Sequence, residues 1–304
     1  MLTVYQRSIT YRKPRQVEKF QKGAWMHLES PTEAELEEAA RTLGVELDTL
    51  KDALDPHEAP RLEAEKEGVY TFIRYPHGET TVPLLVVVAT DGLLTVSQVE
   101  SPLIERFEGG AVNFYTTQKA RFVLLVLSEA TRRYTSAMSA IRKEVNRSKT
   151  RPDRMTSKDI VKFVAYESTV SDYLDALVPL QAILNKILTG KTKVLDIREE
   201  DKDLAEDLIL STNQLIEAAR SSVKAMVNIR SAYTAISTDR LNRILRTLTA
   251  ITVILTIPLG ITSFYGMNIV LPAAEYSHAA SVIAFTIVLL SAGLLALFIK
   301  NKWL

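Results

Sequence analysis

A chain of 304 residues with 37 Lys+Arg, 36 Asp+Glu and a formal net charge of +1 has no general attraction for nucleic acid. It contains no cysteine, which excludes disulfides and thiolate metal sites. The opening stretch, MLTVYQRSITYRKPRQ, holds no uninterrupted apolar run, so a cleaved signal peptide is not expected.

In chain order, MLTVYQRSI and GAWMHLES read as strands. SPTEAELEEAARTLGV reads as a helix capped by Ser30, with Pro31 at its first position. VYTFIRYP and TVPLLVVVATDGLLTVSQ carry β-branched strand runs, with Asp91-Gly92 as hairpin punctuation. KARFVLLVLSEA fits a strand by composition, yet it also opens the helical candidate RFVLLVLSEATRRYTSAMSAIRKEVNRS. Strands beside helices predict a compact α/β domain over residues 1–125.

Residues 126–246 predict a helical stalk. SKDIVKFVAYESTVSDYLDALVPLQAILNKILTG is its second helix, and a third starts near Ile197 and meets no Pro or Gly until Pro258. Continued to Tyr265, that third helix would be on the order of 100 Å long. Leu204, Leu208, Ser211, Leu215, Ala218 and Ser222 offer it a packing seam, extended by Ala225, Ile229 and Ala232.

From Thr247 to Ala274 there is no Asp, Glu, Lys or Arg, and from Tyr276 to Ile299 the only interruption is His278. Each run can cross a hydrocarbon core of roughly 30 Å, which needs about 20 apolar residues. A buried hairpin in a soluble protein is the competing explanation. The predicted segments are a first transmembrane helix over 247–267, an external loop over 268–278, a second transmembrane helix over 279–299 and a basic tail over 300–304. Arg240, Arg243 and Arg246 precede the first span, Lys300 and Lys302 follow the second, and the loop carries no Lys or Arg. The positive-inside rule then puts both termini in the cytoplasm of a multi-pass cell-membrane protein. The fold class is an α+β membrane protein.

Steps of three or four along the first span give Asn242, Leu245, Thr249, Thr252, Thr256, Gly260, Ser263 and Gly266/Met267, a mostly polar or small stripe on an otherwise apolar helix. Such a stripe is either a close-packing seam between helices or a pore wall that meets water. Two helices per chain cannot enclose a pore, so conduction requires several copies. No acid lies between Asp239 and Glu275. Neutral oxygens hold a cation best when it keeps its water, and Mg2+ dehydrates reluctantly. Asn268, at the external end of the span, has an amide suited to the hydration shell of such an ion. The four histidines (27, 57, 77 and 278) are isolated, with no nucleophile–base motif, Walker A or GxGxxG stretch, so neither an enzyme nor nucleotide use is expected.

YGMN at 265–268, followed by a short loop and one last helix, resembles the signature of the CorA family of magnesium transporters. DRLNRILRTLTAITVILTIPLGITSFYGMN resembles that family's pore helix without a gap. PHEAPRLEAEKEGVYTFIRYP and the ending KNKWL are also similar, so the likeness covers essentially the whole chain. It implies a funnel-shaped homopentamer with an N-terminal α/β domain and long stalk helices. It implies that Gly266, Met267 and Asn268 form a selectivity filter for hydrated Mg2+, with Co2+ and Ni2+ as alternative ions. It also implies an inner polar ring at Asn242, a hydrophobic gate at Leu245 and Leu248, and a polar pore position at Thr249. Thr256 stands where a bulky apolar constriction is frequent, and Glu275 is a loop acid displaced from the position many members use. Cytoplasmic Mg2+ would act as a regulatory ligand at Asp52 and Asp207, with Lys51 where some relatives carry another acid. Two charges falling through 100 mV gain roughly 4.6 kcal/mol, which would drive uptake without a nucleotide. Open alternatives are a transporter preferring another divalent cation such as Zn2+, and a non-conducting membrane-anchored metal sensor or scaffold.

Overall fold

The computed structural model describes residues 1–8, 13–149, 155–190, 195, 197–267, 277–301 and 303. The chain divides into two compact units, Met1–Ile229 and Arg230–Leu304.

The first unit is built on a seven-stranded sheet: β1 (Leu2–Gln6), β2 (Arg15–Gln16), β3 (Ala24–Glu29), β4 (Arg61–Ala64), β5 (Gly68–His77), β6 (Thr80–Ala89) and β7 (Gly92–Ser97). The spatial order is β2-β1-β3-β7-β6-β5-β4. Among the described strands only β3 and β7 pair in parallel, with His27 opposite Thr95. The inner strands β5, β6 and β7 read as near-continuous apolar runs because both faces are covered. Along β6, Leu84, Val86 and Val88 enter one core, while Leu85, Val87 and Ala89 enter the other. A fully buried Val or Leu side chain is worth about 1.5–3 kcal/mol, so the sheet is the main store of stability in this unit. At the β6–β7 turn Gly92 is required by close approach: a Cβ there would lie 2.7 Å from Ala24 O and 2.6 Å from the Phe20 ring.

One face of the sheet is covered by α1 (Glu33–Leu43) and α2 (Leu47–Asp52). The α1 cap corrects the sequence expectation. Thr32, not Ser30, is the N-cap, and its capping box with Glu35 has Thr32 N donating to Glu35 Oε2 at 2.9 Å. Ser30 still belongs to the sheet, since its amide donates to Ser97 O and its hydroxyl to Gln98 O.

The other face is covered by α4 (Lys119–Lys149) and α5 (Ser157–Leu188), with the short α3 (Glu105–Glu108) beside them. KARFVLLVLSEA, equally compatible with a strand, is helical. Phe122, Val123, Val126, Leu127, Ala130 and Tyr134 recur at helical spacing and all are buried. Phe107, Phe114 and Phe122 surround Trp25 with centroid distances of 5.3–6.3 Å. Trp25 Nε1 donates to Thr95 Oγ1 at 2.9 Å, and Thr95 Oγ1 lies 2.8 Å from His27 Nδ1. Burial pulls the His27 pKa down to about 4. At the β4 edge, Lys186 of α5 donates from Nζ to Leu62 O at 2.7 Å.

α6 runs as one helix over Glu199–Tyr265 and contributes to both units. Its buried seam in the first unit is Asp201, Ala205, Leu208, Thr212, Leu215, Ile216, Ala219, Ser222, Met226 and Ile229. Leu208, Leu215, Ser222 and Ile229 coincide with the expected seam. Ser211 and Ala232 are exposed, and the buried positions are their neighbours or lie one turn earlier. The second unit pairs the rest of α6 with α7 (Ala279–Lys300), which has no buried residue. Both helices carry apolar windows long enough to cross a membrane, with mean hydropathies of 1.9 and 2.8.

Candidate functional site

Within the second unit, α6 shows two opposed faces. Thr247, Ala250, Ile254, Ile257, Pro258 and Ile261 form its least exposed row. The matching row on α7 is Ala279, Ile283, Ile287, Ser291, Leu294 and Phe298. Trp303 closes the end of the pair near Thr247, stacking on Phe298 at 5.5 Å and accepting from Thr247 Oγ1 at 3.4 Å. At about 100° per residue, the stripe of Asn242, Leu245, Thr249, Thr252, Thr256, Gly260 and Ser263 falls on the opposite side of α6. All seven are exposed, and nothing lies within 4 Å of a Cβ built on Gly260. The stripe is therefore not the seam against the chain's own second apolar helix.

The stripe has a definite hydrogen-bond polarity. Thr249 Oγ1 donates to Leu245 O at 2.8 Å, Thr252 Oγ1 to Leu248 O at 2.9 Å, and Thr256 Oγ1 to Thr252 O at 2.8 Å. Each hydroxyl proton is committed to the helix's own carbonyl, so what remains is a column of acceptor lone pairs. Water bound to a cation points its hydrogens outward, and such a column receives them. Leu245 and Leu248 are 49% and 59% exposed and place hydrocarbon near the N-terminal end of the column.

At the other end α6 stops at Tyr265. Gly266 N donates to Thr262 O at 2.9 Å, and Met267 N to Phe264 O at 3.4 Å. A Cβ on Gly266 would sit 3.2 Å from Thr262 O, tighter than ordinary contact. The last carbonyls of a helix carry the negative end of its dipole, and no basic residue occupies this last turn. The end is thus suited to a cation. Asn268 and Glu275 lie outside the described residues.

The two proposed regulatory acids sit in the first unit. Asp52 ends α2, half exposed, and its Oδ2 is 3.0 Å from Arg61 Nη2. Lys51 beside it is paired with Glu33 at 2.6 Å, and that pairing holds the Glu33 carboxyl below the usual carboxylate range. Asp207 is exposed on α6. No group of three or more His, Asp or Glu able to hold a metal occurs among the described residues. Within one chain, then, the acids do not assemble a divalent site, and Asp52 already has a cation. Arg61 was missed at the sequence level. In RLEAEKEG it reads as one of several alternating charges on a solvated strand, and its link to Asp52 is not local.

The family described as CorA-like Mg2+ transporter protein matches residues 20–301. A cobalt/magnesium transport protein, CorA, of Methanocaldococcus jannaschii is 24% identical over 295 residues, covering 92% of this chain and 91% of that protein. The complete structure of that organism's CorA magnesium transporter superposes with a TM-score of 0.87 at 19% identity, over 100% of this chain and 99% of the other. Full-length CmaX gives a TM-score of 0.76 at 16% identity, covering 99% and 97% of the two chains. The cytoplasmic domain of ZntB from Vibrio parahaemolyticus gives 0.63 at 10% identity, over 78% of this chain and 98% of that one.

Proposed function

The chain belongs to the family of CorA-like Mg2+ transporter proteins, and from that membership we propose that it passes hydrated Mg2+ through the cell membrane as a channel-like homopentamer. It is a membrane protein of a family of transporters rather than enzymes. In the proposed arrangement the spans over 247–267 and 279–299 leave both termini in the cytoplasm. Copies of α6 surround the path with their polar stripes turned inward, and α7 stands outside them. Gly266, Met267 and Asn268 ring the external mouth. Glu275 lies nearby as a solvated loop acid. Co2+ and Ni2+ are alternative ions for the same path.

The observation that carries this reading is the acceptor-only threonine column on the face of α6 that α7 leaves open. The back-bond itself is what a threonine makes in hydrocarbon, as Thr262 and Thr286 also do. What supports a path is the alignment of three such acceptors on one exposed face of α6. Acceptors without a fixed charge favour an ion that retains its shell, because stripping Mg2+ would need carboxylates in the path. The membrane potential supplies roughly 4.6 kcal/mol per Mg2+ at 100 mV. Leu245 and Leu248 form the gate by excluding water when closed. Cytoplasmic Mg2+ at Asp52 of one subunit and Asp207 of another holds the closed state, since losing the ion leaves like charges facing across subunits.

Reconstitution in liposomes with an internal Mg2+ dye tests the path. Wild-type protein is expected to admit Mg2+, and Asn268→Ala to abolish most of that flux. Equal flux in both would remove Asn268 from the filter. No flux in the wild type, at low or high internal Mg2+, would leave a non-conducting sensor in place of a channel.

A further inference from the structure

Arg61 opens β4, an edge strand, and stands opposite Phe72 of β5. Its guanidinium lies 3.9 Å from the Phe72 ring centroid, a cation–π stack on a side chain that is itself buried. From that perch it reaches three carboxylates: Asp52 Oδ2 at 3.0 Å, Glu63 Oε1 at 2.8 Å, and Glu58. One permanent positive charge thus serves three negative ones. Glu58 and Glu63 are Arg61's near neighbours in sequence, but Asp52 comes from the end of α2. Of the three, Asp52 is the long-range partner.

The geometry points to Arg61 as a tethered cation that competes with a divalent ion for Asp52 and so sets the Mg2+ concentration at which the cytoplasmic unit responds. The inference deepens the proposed regulatory role of Asp52 and rests on it. A divalent ion takes carboxylate oxygens, and one approaching Asp52 meets a guanidinium already on Oδ2. Arg61 can yield Asp52 and still keep Phe72, Glu58 and Glu63, so the exchange breaks a single ion pair. The neighbouring Lys51 is engaged by Glu33 and offers Mg2+ no oxygen. The chain therefore has its own occupant for Asp52 when Mg2+ is scarce. The trade is set by competition between two cations rather than by affinity alone.

The test is Mg2+ titration of the full-length protein in lipid nanodiscs, read as protection from chymotrypsin, which does not cut at Arg. Arg61→Gln is expected to lower the Mg2+ midpoint by about two- to fivefold, the concentration equivalent of a partly exposed charge pair. Arg61→Leu, which keeps an apolar body on Phe72, should shift it in the same direction, and Arg61→Lys should leave it near wild type. In Arg61→Gln/Asp52→Asn the shift should vanish. A wild type without protection beside an Arg61→Gln that gains it also supports competition. If Asp52→Asn raises the midpoint but neither Arg61→Gln nor Arg61→Leu moves it, Asp52 is a regulatory ligand and the competition is wrong. If Asp52→Asn leaves the midpoint unchanged, the regulatory assignment of Asp52 itself fails.

Discussion

The two units of this chain apply the same hydrophobic effect to opposite solvents. In the first, Trp25, Val86 and Phe122 are fully buried, and the polar groups of the core include one bonded set, Trp25–Thr95–His27. In the second, Leu255, Leu259 and Phe285 are 63%, 70% and 68% exposed, and α7 buries nothing. Its threonines satisfy their protons on their own helix, as a backbone and side chains in hydrocarbon must. The contrast lies in where each unit keeps its patterned residues. The first keeps them in an interior, whereas the second has an exposed, mostly polar or small stripe on the side of α6 away from α7.

The largest expected break in that contrast is in the first unit. Phe122→Ala should cost about 3–5 kcal/mol, seen as a lower urea midpoint by the fluorescence of Trp25, whose ring centroid is 5.3 Å away. Next comes acid. His27 has its pKa lowered from 6.5 to about 4, so the unfolded chain takes the proton first as pH falls. Stability is complete above pH 6.5 and is lost progressively as pH falls toward 4, by roughly 3 kcal/mol. His27→Gln should flatten that slope in urea titrations at successive pH values. In the second unit, Thr252→Val keeps the shape and removes an acceptor. Mg2+ flux in liposomes should fall by about three- to tenfold, the equivalent of one hydrogen bond, with the urea midpoint unchanged. Thr32→Ala removes the α1 cap and should cost about 1 kcal/mol, a shift in thermal midpoint without a change in flux per folded protein. Smallest is Leu255→Ala. The same class of truncation that is severe at Phe122 should here stay within about 0.5 kcal/mol, because its side chain is 63% exposed and leaves no cavity in the fold.

Much of the architecture was legible because it is written in local patterns. The charge-free runs after Arg246 and the branched strands over 68–97 need no partner to be recognised, and YGMN together with the stripe marked the candidate path. Other features were not local. Ser30 and Thr32 each precede an acid by three residues, Glu33 and Glu35, so two capping boxes compete in sequence. Pairing of Ser30 with the end of β7 decides between them. The α6 seam slipped by one residue at Ser211/Thr212 and Ala218/Ala219, where small residues sit side by side. Only the packed neighbours distinguish them. The parallel β3–β7 pair and the Arg61–Asp52 contact join segments that carry no shared signal, so neither was visible before the chain was folded.

The margins of the sheet carry a further lesson. β2 is two residues long and polar, and β4 presents Arg61 and Glu63, with Leu62 O already claimed by Lys186. A foreign strand docking on β4 would have to strip those charges and displace that ammonium, a standard defence against runaway edge-to-edge association. The sheet is thus closed to strand exchange at both rims. Copies of this chain can crowd together in a membrane without the α/β unit seeding cross-β aggregates.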